Sequence, residues 1–285
     1  MLDTFRMYVY RMRKSKLTYI ILAASFLMCA VVFLTEAFLP VILAAGIFGD
    51  VFGEPEPQNG FVMLRSMFST GFHTVILSVF PIMFLAFDYS TGYIKNLVGY
   101  RTDKMKLAGA DLLLVVVYML AGFIVNLVFG SLIILIFCKN VIWQDGGKFL
   151  LYLLVNFIES VCYAQIMLFI ADLLKKNIGA MIIDLVYGFL SGAIYVIVDL
   201  LVSNHRLKDS FVTESTDFGY GVRLVADTSQ KGEFMIEKYT ILGGASALSA
   251  ESAYGDFLRS GLIALIALAV FFFLDVLALK HRDAA

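Results

Sequence analysis

Four polar side chains fall inside long apolar runs of the sequence: Asn156, Glu159, Gln165 and Asp184. A carboxylate surrounded by hydrocarbon is costly, so it normally faces a partner, a bundle interior or a water-filled path. Glu159, together with the other three, could line a polar stretch that meets a cationic or amphipathic solute. The alternative is that these side chains make interhelical hydrogen bonds that fix packing. The sequence leaves both readings open.

No catalytic or metal-binding motif accompanies these residues. The sequence contains no His-Glu-x-x-His, no Gly-x-Ser-x-Gly and no Gly-x-x-x-x-Gly-Lys-Ser/Thr phosphate loop. His73 has no second His or Cys within a helical turn or two, so we expect it to hydrogen-bond to a neighbouring helix. We therefore expect no catalytic site, no metal and no cofactor bound by this chain.

The composition explains why polar residues in these runs matter. Of the 285 residues, 60% are hydrophobic and 16% are charged. A soluble domain must cover a large surface with polar groups, so this excess of apolar residues requires lipid as part of the solvent. The net charge of -1 gives no reason to expect a nucleic-acid partner.

Six apolar runs are long enough to cross about 30 Å of hydrocarbon as helices. Because lipid offers the backbone no hydrogen-bond partners and the runs do not alternate as barrel strands do, we predict an all-α polytopic fold. The predicted spans are Leu17–Phe38, Ser66–Phe87, Leu112–Phe137, Phe149–Ala171, Ile178–Val202 and Phe257–Leu279.

Lysine and arginine determine the predicted orientation. Residues 1–16, the second loop, the fourth loop and the C-terminal tail hold thirteen basic residues, whereas the opposite short loops hold only Arg65, Lys139 and Lys148. Cytoplasmic segments carry the positive excess. Both termini are therefore predicted to be cytoplasmic, with residues 257–285 forming the last span and its cytoplasmic tail.

Two segments outside the spans are predicted to be organised. Residues 1–16 place Leu2, Phe5, Tyr8 and Val9 at helical spacing, which indicates an amphipathic helix lying in the inner interface. An ordinary basic flank is the alternative. Residues 203–256 hold five basic and eight acidic residues and are predicted to form an external loop domain. Its end, 239–254, is either a short returning helix or a surface loop.

The sequence also predicts structural roles for several further residues in and beside the spans. Pro81 should kink the second span, and Gly188 with Gly192 forms a small-xxx-small pair that allows close approach of two helices. Four acidic residues lie beside basic loops and are interpreted as residues of the cytoplasmic boundary: Asp88, Asp111, Asp172 and Asp275.

The second loop has the most distinctive sequence. Residues 89–106 combine an apolar set at helical spacing with a basic set, punctuated by Gly92 and Gly99. A short amphipathic helix that is not needed to cross the membrane requires a protein partner or a lipid surface. Its apolar positions are Tyr93, Ile94, Leu97 and Val98, and its basic positions are Lys95, Arg101, Lys104 and Lys106.

This segment resembles the type-2 permeases of ATP-binding-cassette (ABC) exporters, especially those of lantibiotic and bacitracin-type systems. In that family an acidic residue ends the second span, and a Gly-Thr-Ile-Lys-Asn-like run and an arginine follow. The matching residues are Asp88, Gly92, Ile94, Lys95, Asn96 and Arg101. Tyr93 stands where the family usually has threonine. Six spans, the N-terminal helix and the long loop before the last span are similar to the family as well.

The resemblance implies that 89–106 is a coupling helix, with Gly92, Tyr93, Ile94, Lys95, Asn96, Leu97 and Arg101 in contact with an ATPase. Two copies of that ATPase would carry ATP and Mg, and a second permease subunit, identical or homologous, would complete the pathway. The implied location is a bacterial cytoplasmic membrane, and the implied cargo is a peptide or another amphipathic compound. A non-transporting immunity or signalling protein is the main alternative, and a stand-alone secondary carrier is less favoured because no internal repeat is apparent.

Overall fold

The computed structural model describes residues 2–34, 58–69, 71–90, 104–137, 141–174, 177–202, 213–216, 219–222, 240–241, 248 and 252–282. Most of them are helical. In chain order the elements are α1 (Leu2–Lys14), α2 (Lys16–Phe33), β1 (Gln58–Asn59), α3 (Gly60–Ser69), α4 (Phe72–Ser90), α5 (Lys104–Phe137), β2 (Val141–Ile142), α6 (Gly146–Leu174), α7 (Asn177–Val202), β3 (Thr213–Thr216), β4 (Gly219–Val222) and α8 (Tyr254–Arg282).

Among the described residues, four helices are long and apolar enough to cross a membrane: α2, α5, α6 and α8. The pair α3 and α4, which meet at 45°, makes a fifth if it forms one broken span. The helical class is thereby confirmed, and the long apolar helices are compatible with a multi-pass membrane protein. The helix α7 has 26 residues, but its apolar part among described side chains is only Ile178–Ser191. The count of six and the cytoplasmic side of the termini stay predictions.

The second predicted span differs most from the structure. Its helical path begins at Gly60 and is interrupted at Gly71, whose φ of 69° is a left-handed conformation that glycine adopts readily. The Gly71 amide donates to the Phe68 carbonyl, and the Gly71 carbonyl accepts from the Thr74 amide, so one helix ends where the next begins. The sharp bend therefore lies at Gly71, while α4 continues as one helix through Pro81.

The N-terminal helix α1 packs onto the bundle. Its buried positions are Thr4, Tyr8 and Met12, spaced by four residues, while Leu2 is 64% exposed. The buried face is thus rotated away from Leu2. The Tyr8 ring meets Phe84 edge-on at 6.4 Å, and the Arg11 guanidinium lies 5.0 Å from the same ring. A helix is thus present at the predicted position, and its buried face contacts protein. Its location in the inner interface stays a prediction.

The bundle has two distinguishable ends. At one, which we call the strand end, β1 pairs in parallel with β2 through Gln58–Val141 and Asn59–Ile142. At the other, the basic end, the Lys104 ammonium donates to the Leu279 carbonyl over 3.1 Å, and α1 meets the last turns of α4. The side of the membrane that each end faces stays a prediction.

The helix α6 is the central element. Of its 18 most apolar consecutive residues, 61% are buried, against 22% of those in α8. It packs against α4, α5, α7 and α8. Close approach of neighbouring helices depends on glycines. A Cβ on Gly188 of α7 would lie 2.5 Å from a methyl of Val75 on α4, which confirms the predicted close approach at this position. Exposed leucines and isoleucines cover the outward faces of α5, α7 and α8.

Two predicted segments are described only in part. In the loop 203–256, β3 and β4 form an antiparallel ladder from Thr213–Val222 to Thr216–Gly219, whereas most of 239–254 lies outside the described residues. In the predicted coupling segment 89–106, the first two residues end α4 and the last three begin α5. Gly92, Tyr93, Ile94, Lys95, Asn96, Leu97 and Arg101 all lie outside the described residues.

Candidate functional site

A stripe of polar side chains runs along one face of α6. With about 100° of rotation per residue, the five members fall within an arc of roughly 100° and span about 16 Å of helix. None of them is more than 4% exposed. Since lipid cannot satisfy their hydrogen bonds, each must find a partner within the protein. The stripe consists of Tyr152, Asn156, Glu159, Ser160 and Tyr163.

The half of the stripe nearer the strand end is held by α4. His73 Nε2 donates to Asn156 Oδ1 over 3.1 Å. Ser160 donates its hydroxyl proton to the Asn156 carbonyl over 2.8 Å, so the 2.6 Å contact between Thr74 and Ser160 has Thr74 as the donor. The Asn156 amide also reaches the Tyr152 hydroxyl and the Phe68 carbonyl, each at 3.4 Å. The expected interhelical hydrogen bond of His73 is confirmed.

Aromatic rings enclose this part of the network. Phe68 and Phe123 meet the His73 ring edge-on, with centroids 5.0 and 5.1 Å away. His73 Nδ1 is buried, and no described atom hydrogen-bonds to it. The ring is thereby oriented by one nitrogen and by its aromatic neighbours, which leaves the other nitrogen available to a small ligand or water.

Asp184 of α7 lies beside Tyr163, the last residue of the stripe, where α7 packs against α4 and α6. It is fully buried. The Tyr163 hydroxyl donates to Asp184 Oδ1 over 2.7 Å. Ser78 Oγ lies 2.7 Å from both Asp184 Oδ2 and the Val75 carbonyl, and its one proton can go to either acceptor. Within the described part of the chain, no lysine or arginine lies within salt-bridge distance of it. A carboxylate satisfied only by hydroxyl groups still carries a large desolvation cost, so this position favours either a proton or an arriving cation.

Glu159 lies on the same face as Asn156 and Tyr163. It is 4% exposed and within electrostatic reach of the Tyr152 hydroxyl and the Cys162 thiol. The structure therefore brings three of the four predicted residues into one buried region: Asn156, Glu159 and Asp184.

Gln165, the fourth predicted residue, is on the opposite face of α6. Its amide nitrogen donates to Asp275 of α8 over 3.2 Å. The structure therefore separates Gln165 from the stripe. Its role is to join α6 to α8.

The acidic residues interpreted as boundary residues are more enclosed than expected. Asp111, Asp172 and Asp275 are 1%, 6% and 1% exposed. They lie toward the basic end but face other helices, because α5 begins before its apolar run, α6 and α8 end after theirs, and these helices pack against one another. The side chain of Asp88 lies outside the described residues.

Hydroxyl residues are the part of the site that sequence reasoning missed. Thr74, Ser78, Ser160 and Tyr163 supply most of the hydrogen bonds, yet each is unremarkable in an apolar run. A signal did exist. Thr74 and Ser78 are four apart, as are Asn156 and Ser160, so each pair shares one helix face.

Comparisons with known proteins add no relative. A scan of protein-family models gives no match, and searches of curated proteins and of solved structures give none either. Among the described residues, no group of three His, Cys, Asp or Glu side chains is arranged to hold a metal ion. Membership of the permease family therefore stays a prediction that depends on residues 88–101.

Asn156 provides a test of the stripe. Replacing it with leucine removes the acceptor for His73 and the partner of the Tyr152 hydroxyl, so we expect Asn156→Leu to lower the free energy of unfolding by about 1–3 kcal/mol. The control is Leu154→Ala, two positions away and 55% exposed. Reversible unfolding in detergent micelles measures both. Equal stability of Asn156→Leu and the parent chain would contradict the network.

Proposed function

We propose that this chain is the membrane-spanning permease subunit of an ATP-driven ABC exporter in a bacterial cytoplasmic membrane. The observation that carries the proposal is the run from Asp88 through Gly92, Ile94, Lys95 and Asn96 to Arg101, which resembles the family's pattern in its order of residues. Its place between two long helices, α4 and α5, fits a segment that transmits movement of a partner to the membrane.

The energy for transport must come from another subunit. The sequence has no phosphate loop, so ATP and Mg would be bound by a partner ATPase present in two copies. A second permease subunit, identical or homologous, would enclose the route. The nucleotide cycle would favour one arrangement of the pair over another through differential contact at 89–106.

We place the route for the cargo along the α6 stripe. Asn156, Glu159 and Asp184 line one buried region between α4, α6 and α7, and Asp184 has no described basic partner. A cationic group on a peptide or another amphipathic compound would offset the cost of these carboxylates as the helices separate. Gln165 lies outside this route, since it is bound to Asp275.

A stand-alone carrier is the second candidate function. It is favoured by the buried carboxyl groups Asp184 and Asp275, because intramembrane carboxyls often carry a coupling ion or proton. A non-transporting immunity or signalling protein would likewise have no phosphate loop in its sequence. Purification from the native membrane separates these functions, since only the exporter requires a stoichiometric ATPase partner.

The coupling segment yields the sharper prediction. Reversing the charge in Lys95→Glu or Arg101→Glu should lower transport-coupled ATP hydrolysis by roughly tenfold, because complementary charge at the ATPase surface is lost. Membrane insertion should be unchanged. The matched control is Lys139→Glu in a loop predicted on the opposite side. Coupled hydrolysis at the parental rate in both variants would remove the assignment of 89–106.

Glu159 tests the route itself. Glu159→Gln keeps the size of the side chain but removes its charge, so transport of cationic substrates should slow by roughly tenfold, equivalent to about 1.4 kcal/mol. ATPase binding should persist. Transport is measured substrate by substrate, with Leu154→Ala as the control. If every substrate moved at the parental rate, Glu159 would be a packing residue.

A further inference from the structure

A pocket at the strand end lies where α3, α6 and α8 begin. Asn59 fixes its edge: its side-chain amide donates to the Gln144 carbonyl over 3.2 Å, and its side-chain oxygen accepts from the Phe61 amide over 3.0 Å. The β1–β2 pair lies beside it. The residues that carry its chemistry are Phe61, Arg65, Asp145, Lys148, Phe149 and Tyr152.

The pocket is electropositive. Of the described residues that line it, Arg65 and Lys148 are basic and Asp145 alone is acidic. The Arg65 guanidinium carbon lies 5.5 Å from the centre of the Tyr152 ring. Arg65 Nε is buried, and no described atom accepts its proton. A guanidinium donor without an acceptor favours an anion with several oxygen atoms, such as a phosphate.

The floor of the same pocket is apolar. The rings of Phe61 and Phe149 stack with centroids 4.9 Å apart, and Trp143 meets Phe61 edge-on at 5.0 Å. The adjacent outward faces are apolar as well, since Leu150 and Leu258 are 67% and 64% exposed. A free inorganic anion makes no use of aromatic rings or exposed leucines. A phosphate joined to hydrocarbon contacts both the basic side chains and the apolar floor of the pocket.

We propose that this pocket binds the headgroup phosphate of an anionic phospholipid, with the phosphate near Arg65 and Lys148 and the start of the acyl region against Phe61 and Phe149. The location fits, because helices that cross lipid begin here and aromatic and basic residues gather at membrane interfaces. Tyr152 contributes to this pocket and is also the first residue of the α6 stripe. The bound lipid therefore contacts the element that holds the polar network.

The test uses the purified full chain in nanodiscs of phosphatidylcholine with or without phosphatidylglycerol. Native mass spectrometry after detergent release should detect retained phosphatidylglycerol on the parent chain. Arg65→Gln combined with Lys148→Gln should reduce that retention by about tenfold or more, because two charged hydrogen-bond donors are lost. The matched control, Arg259→Gln, alters a basic residue near the start of α8 that pairs with Asp256 and does not line the pocket.

Three outcomes would overturn the proposal. They are equal retention of phosphatidylcholine and phosphatidylglycerol by the parent chain, unchanged retention by the double variant, and binding of inorganic phosphate alone with no lipid retained. The first and third comparisons use the parent chain, so they hold even if the double variant fails to fold. None of these measurements involves an ATPase, so failure here leaves the proposed exporter function untouched.

Discussion

The structure depends on one constraint: the polar groups on the buried face of α6 must be satisfied within the protein, and neighbouring helices supply several of the partners. Lipid supplies no donor or acceptor, and an unsatisfied group in hydrocarbon costs several kcal/mol. Asn156 and Ser160 meet this requirement through α4, and Tyr163 meets it through Asp184 of α7. The stripe therefore determines which helices lie beside α6 and in what register.

Close packing elsewhere allows these hydrogen bonds to form. The short distance between Gly188 and Val75 brings α7 against α4, and Asp184, one turn before Gly188, then reaches Ser78. On the opposite side of α6, Gln165 and Asp275 join α8. Two polar contacts on opposite faces hold α6 between its neighbours. Separation of α4 and α7 from α6 would expose the stripe without breaking the contact to α8, which is how a route along this face would open.

The sequence predicts the helical membrane class because long apolar runs have few other solutions. It also identifies Asn156, Glu159 and Asp184 as belonging to a buried region, since a polar residue in such a run is conspicuous. Which face each residue occupies is harder to predict. Gln165 was grouped with Asn156, although the nine residues that separate them place it on the other side of the helix. The break at Gly71 was missed, because a glycine in an apolar run is compatible with a continuous helix.

Partners from distant segments were beyond sequence reasoning. The spacing of Thr74 and Ser78 places both hydroxyls on one helix face, but it does not show that this face meets α6 or Asp184, since such contacts depend on the rotation and depth of two helices at once. The enclosure of Asp172 and Asp275 was missed for a similar reason. Their position beside basic loops indicated the boundary, whereas their burial follows from helices that continue beyond it.

The most direct test is a double-mutant cycle between α6 and α7, with Tyr163→Phe, Asp184→Leu and the double variant compared by reversible unfolding in lipid micelles. The hydrogen bond from Tyr163 to Asp184 predicts a coupling free energy of about 0.5–2 kcal/mol. Strict additivity of the two single changes would mean that these helices are not joined through the stripe, and would contradict its central role in the fold.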